Sequence, residues 1–111
     1  MSSNLGDIRV TGPVLRVLTY FLECHPKPAS GADIINDRRI LSGTLYPLLD
    51  RLSVAGLLKS EWEDVDPSIV GRPRKRLYRL TADGVIRASR IVQDHGIDAP
   101  TRIKFGWVQK G

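Results

Sequence analysis

The chain has 111 residues, 41% hydrophobic and 26% charged, which fits one globular domain with a single core and excludes a disordered chain. Seventeen Lys and Arg against twelve Asp and Glu leave a formal charge of +5, so a polyanion is the expected partner, nucleic acid before an anionic membrane surface. The lone Cys24 excludes an intrachain disulfide and fits a reducing cytoplasm, and no apolar run approaches the roughly 18 residues of a membrane-spanning helix.

The opening stretch, MSSNLGDIRV, has neither the charged start nor the apolar run of a secretory signal, and residues 1–10 read as an arm or a short strand. Thr11 can cap a helix whose first turn tolerates Pro13. Val14, Leu15, Leu18, Phe21 and Leu22 then follow helical spacing, Val17 widens the stripe, and Pro26 and Pro28 stop the helix near His25. Ser30 is the expected cap of a short second helix, GADIINDRR. In the third helix Leu45, Leu48, Leu49 and Leu52 form a narrow leucine stripe, with Gly56 placed to end it. Its cap is Ser42 or Thr44. A start at Ser42 frees the Gly43 carbonyl opposite Pro47, a start at Thr44 avoids this, and the sequence leaves both open.

LLKSEWE reads as a strand and KRLYRL as its partner, joined by the loop DVDPSIVGRP. Thr81 caps a fourth helix with Asp83 in its first turn; Val85, Ile86, Ser89 and Val92 give it an apolar side, and Gly96 ends it. In the tail, Ile103, Phe105 and Trp107 alternate as in a strand. The expected class is therefore α+β and mainly helical. Residues 11–81 form a winged helix-turn-helix of three helices and a two-stranded β wing, and residues 82–111 add a C-terminal helix and tail.

A helix-turn-helix lays its second helix in the major groove with its N-terminal residues against the bases. The leucine stripe leaves Gly43, Pro47 and Asp50 facing away from it, with Thr44, Tyr46 and Arg51 on the flanks and Ser42 at the start. Hydroxyl groups there can donate and accept, Arg51 can hold a phosphate, and the helix N-terminus itself favours an anion. An ordinary amphipathic helix with a polar outer face would show the same pattern.

Two longer motifs are more specific. LSGTLYPLLDRLSVAGLLKSEWE followed by GRPRKRLYRLTADG closely resembles the PadR-like family of winged-helix transcriptional regulators, through Gly43-Thr44-Leu45-Tyr46-Pro47, Arg51-Leu52, Gly56-Leu57, Arg72-Pro73-Arg74-Lys75, Tyr78, Leu80-Thr81 and Gly84. The resemblance implies a homodimeric, sequence-specific DNA-binding regulator, usually a repressor, on a palindromic operator, with the third helix in the major groove and the wing on backbone or minor groove. Some members also bind a small aromatic or lipophilic effector; Trp107 is a candidate for such a site, although Trp62 and Trp107 read first as core or interface anchors. Members usually dimerise through a long C-terminal helix. In this chain Gly96 and Pro100 keep that helix short, so Val85, Ile86, Ser89 and Val92 are expected to share the role with Ile103, Phe105 and Trp107, which either cross to a partner or cover their own core.

The wing carries Arg72, Arg74, Lys75, Arg76 and Arg79 within eight positions. Arg72 and Arg74 flank a proline that keeps the backbone extended, a core similar to the centre of an AT-hook, and with Lys75 they are the expected tip contacts to DNA. Arg76 is a further candidate contact. Arg76 and Arg79 could instead pair across the hairpin with Glu61 or Glu63. Cys24, His25 and His95 make a poor metal site, and no nucleophile elbow or phosphate loop is present, so neither a cofactor nor an enzyme is expected. Two other uses of a winged helix compete with the regulator: a protein-interaction module, and a weakly specific nucleoid or recombination accessory protein.

Overall fold

The computed structural model describes residues 9–97, so residues 1–8 and the apolar tail residues Ile103, Phe105 and Trp107 lie outside the described residues. Arg9 and Val10 have no regular structure and lead into α1 (Gly12–Cys24). The Thr11 hydroxyl accepts from the Val14 amide at 3.4 Å, and the helix buries Val14, Val17, Leu18, Phe21 and Leu22 before ending at His25. A two-residue strand not expected from the sequence, β1 (Ala29–Ser30), precedes α2 (Gly31–Arg38). Ser30 and Asp33 cap α2 reciprocally: the Asp33 amide donates to the Ser30 hydroxyl at 3.2 Å and the Ser30 amide to the Asp33 carboxylate at 3.0 Å.

The turn into α3 (Ser42–Val54) is tight. Arg39 ends α2 in the left-handed conformation, φ 56°, although it is not glycine. Ile40 then enters the core and Leu41 is the N-cap of α3, with no side-chain cap bond. Both expected caps, Ser42 and Thr44, are thus corrected: each lies inside the first turn, because burying Ile40 commits the chain to helix immediately afterwards. Ile40 and Leu45, at the two positions of a hydrophobic staple, are both buried. Pro47 is inside the helix, and Gly43, whose carbonyl it cannot satisfy, is exposed to water. Gly56, φ 88°, closes α3, with the Leu57 amide donating to the Leu52 carbonyl at 3.0 Å.

Next come β2 (Leu58–Trp62), a one-turn α4 (Pro67–Val70), β3 (Arg76–Leu80) and α5 (Ala82–Asp94). The short α4 replaces part of the expected loop; Asp66 caps it and Pro67 occupies its first turn. The sheet is antiparallel in the order β1-β3-β2, with Ala29 opposite Tyr78 and Leu58 opposite Leu80, so the expected two-stranded wing gains a third, short strand. Thr81 caps α5 and ties it to the preceding turn, its amide donating to the Leu57 carbonyl at 2.9 Å and its hydroxyl to the Gly56 carbonyl at 2.8 Å. One core joins these elements, with Val14, Leu18, Phe21, Leu22, Ile34, Leu45, Leu49, Leu52, Leu57 and Val92 fully enclosed.

Candidate nucleic-acid interface

The leucine stripe decides what α3 presents outward. Leu45, Leu48, Leu49 and Leu52 are buried, so Ser42, Gly43, Thr44, Tyr46, Pro47, Asp50 and Arg51 form an exposed face. The other helices begin at a side-chain cap, from Thr11, Ser30, Asp66 or Thr81; α3 begins without one, at the exposed residues Ser42 and Gly43. Tyr46 leans back onto the start of α2. A β-carbon at Gly31 would lie 2.5 Å from the Tyr46 hydroxyl, so the absent side chain there makes room for the ring. With Ser30, Ala32, Lys75, Arg76 and Tyr78, Tyr46 lines an open cleft of about 180 Å³. The helix and the base of the wing therefore meet in one place.

The wing is organised around a single carboxylate. Glu63 accepts from both terminal nitrogens of Arg72, at 2.7 and 3.0 Å, and from the Lys75 amide at 3.1 Å. The Arg72 bond, then the Lys75 amide, holds the Glu63 carboxyl well below its ordinary range, down to about 2, and the same pairing raises Arg72. Arg74, an exposed residue, donates from Nε to the Val65 carbonyl at 2.9 Å, fixing the loop. The expected pairing of Glu63 is thereby corrected. Glu61 does pair with Arg79, at 3.3 Å, but Glu63 pairs with Arg72 at the tip rather than with Arg76 or Arg79. The loop folds back on the strand end and brings the tip within reach. Arg76 stacks over Trp62 at 5.3 Å and donates to the Ser60 hydroxyl at 3.1 Å.

The other expected site residues separate. On α5, Val92 and Ser89 are buried in the chain's own core and Val85 is half-buried, because Ala88, Ser89, Ile91 and Val92 form the inward face; Ile86 is exposed. Two exposed residues beside the start of α3 were missed by the pattern reading. Arg39 is exposed at the turn before α3, and Leu41 is 78% exposed beside it. Nothing in the sequence marks Arg39 as left-handed, whereas Leu41 could have been found as the apolar residue that breaks the stripe. Elsewhere, Tyr20, Cys24, Asp33 and Asp37 border an open depression of about 470 Å³, and burial, then a bond with Cys24, raises the Tyr20 hydroxyl above its ordinary range. Among the described residues no group of three His, Cys, Asp or Glu could hold a metal ion, and no helix is long and apolar enough to cross a membrane.

The model of the transcriptional regulator PadR-like family matches residues 32–90. Among solved structures, a PadR-like transcription factor from Bacteroides fragilis is 29% identical with a TM-score of 0.57, covering 76% of this chain and 82% of that one. A PadR family transcriptional regulator from Eggerthella lenta is 28% identical with a TM-score of 0.60, covering 76% and 71%. A mutant of ZitR from Lactococcus lactis is 20% identical with a TM-score of 0.62, covering 86% and 58%, a likeness of fold. No curated protein matches the chain significantly.

Proposed function

This chain belongs to the PadR-like family of transcriptional regulators, a family of DNA-binding regulators, and on that premise we propose that it is a repressor that binds a palindromic operator as a homodimer. α3 enters the major groove through Ser42, Gly43, Thr44, Tyr46 and Pro47, and Arg51 grips a phosphate. Arg72, Arg74, Lys75 and Arg76 carry the wing onto the backbone or minor groove. The observation that carries this reading is the outward face of α3: small, hydroxyl-bearing, uncapped at its N-terminus and continuous with the Lys75 and Arg76 cleft. A wing arginine held against a carboxylate can still contribute, since the two free oxygens of a phosphate group offer a guanidinium the same two-pronged acceptor. Exposed Ile86, together with the tail bearing Ile103, Phe105 and Trp107, supplies the dimer contact, and the protein works in the cytoplasm at the nucleoid.

A second reading, a protein-interaction module, draws on Ile69, which is 81% exposed on α4. One experiment separates the two. Mobility shifts with DNA selected from a genomic library, in excess random competitor at fixed salt, together with equilibrium sedimentation, are expected to show selective binding by a dimer. A strict monomer indifferent to DNA would leave the interaction module standing instead.

A further inference from the structure

α3 is poor in the side chains that usually read guanine and adenine. From Ser42 to Val54 it holds no Lys, Asn or Gln, and its one arginine, Arg51, comes in the third turn, beyond the N-terminal residues that reach bases. Beside the hydroxyls of Ser42, Thr44 and Tyr46, its beginning carries apolar groups. Leu41 is 78% exposed, stands outside the core, and is followed at three-residue intervals by the exposed Thr44 and Pro47. That spacing aligns the isobutyl group, the threonine methyl and the proline ring in one row along the outer face. Beside the row, a β-carbon on Gly43 would meet nothing within 4 Å, so the face is open to a groove floor.

The Leu41 side chain takes no part in the core and is left for a partner surface. In the major groove the one apolar feature of a base edge is the 5-methyl group of thymine. The six steps from Leu41 to Pro47 rise about 9 Å along a helix, the length of roughly two to three base steps. We infer that Leu41, Thr44 and Pro47 read thymine methyl groups, so that each operator half-site has consecutive A·T pairs beneath the start of α3, with Leu41 as the discriminating side chain. The inference rests on the regulator reading and specifies what that site selects.

Replacing thymine by deoxyuridine removes the methyl group and leaves every hydrogen bond of the pair intact. Fluorescence anisotropy with the selected DNA, substituted one position at a time, is expected to show about a fourfold loss of affinity at one or two thymines per half-site. Leu41→Ala is expected to weaken binding to the unmodified site and to erase the deoxyuridine penalty at one of them, and Thr44→Ser to erase it at the other; both positions are exposed, so the fold is retained. Selective binding that is indifferent to deoxyuridine in wild-type protein overturns the inference alone. A penalty that persists unchanged in both variants overturns it equally. Failure to bind any DNA selectively takes down the regulator reading and the inference together.

Discussion

Gly84 can be tested on its own because its geometry leaves little room. A β-carbon there would lie 2.0 Å from the Leu57 carbonyl oxygen and 2.9 Å from its carbon, both backbone atoms, so no side chain can swing aside. In Gly84→Ala, α5 must retreat by more than an ångström. Retreat stretches the Thr81 bonds to Leu57 and Gly56, now 2.9 and 2.8 Å, and loosens the packing of Ala88 and Val92. Overpacking of this kind costs about 1–3 kcal/mol, and two weakened hydrogen bonds add about 1–2 kcal/mol. The better helix propensity of alanine offsets about 1 kcal/mol, leaving a loss of about 1–4 kcal/mol. For a chain of this size the expected fall in Tm is about 4 °C per kcal/mol, or roughly 4–16 °C. Thermal unfolding followed by circular dichroism, with urea titration for the free energy, measures it. A variant as stable as wild type would refute the close approach of α5 to the Leu57 carbonyl, and with it the explanation of why this motif position is glycine.

Gly31→Ala makes the contrasting case: the atoms in the way belong to the half-exposed Tyr46 ring, so stability is expected to stay within about 1 kcal/mol while DNA affinity falls several-fold as the ring is displaced, seen by urea titration beside anisotropy. A destabilisation as large as that of Gly84→Ala would contradict it. Glu63 is held at about 2 in the folded chain against an ordinary 4.5, so its contribution to wing order is complete above about 4.5 and is lost as pH falls from there towards 2. The carboxyl resonance of Glu63 is expected to titrate near the lower value, and to return towards the ordinary range in Arg72→Ala; ordinary titration in the wild type would contradict the clamp. Replacing Arg72 and Arg74 together by alanine is expected to reduce the slope of log affinity against log salt by about one unit for each phosphate that the wing no longer neutralises, and an unchanged slope would remove the wing from the interface.

Much of this fold is legible because local and global preferences agree. Thr11, Ser30 and Thr81 are capping residues in front of helical stripes, and each caps the helix expected of it. The start of α3 was harder to read: an apolar N-cap is a poor signal, and burial of Ile40 overrides the preference of Ser42 or Thr44 for that position. The α4 turn, DPSIV, carries its own cap and proline, yet four residues have too little periodicity to stand out from a loop. β1 consists of two residues whose strand character comes wholly from pairing with Tyr78 and Leu77. On α5, helical spacing identified an apolar side but not which residues the chain uses for itself. Val92 and Ser89 turn inward with Ala88 and Ile91 on the buried face, and Gly84, lacking a side chain, lets the start of α5 close on the Leu57 carbonyl. In the wing, alternation and charge could suggest pairs, but the partner of Glu63 depends on how the loop folds back.

In the proposed regulator, α3 and the wing of two copies together hold a symmetric DNA site. Hydroxyl-radical footprinting of the selected DNA tests it most directly. Two equivalent protected half-sites centred about one helical turn, roughly 34 Å, apart are expected, with the flanking protection abolished when Arg72 and Arg74 are replaced by alanine. A single unsymmetric footprint, or uniform protection without boundaries, would contradict the account.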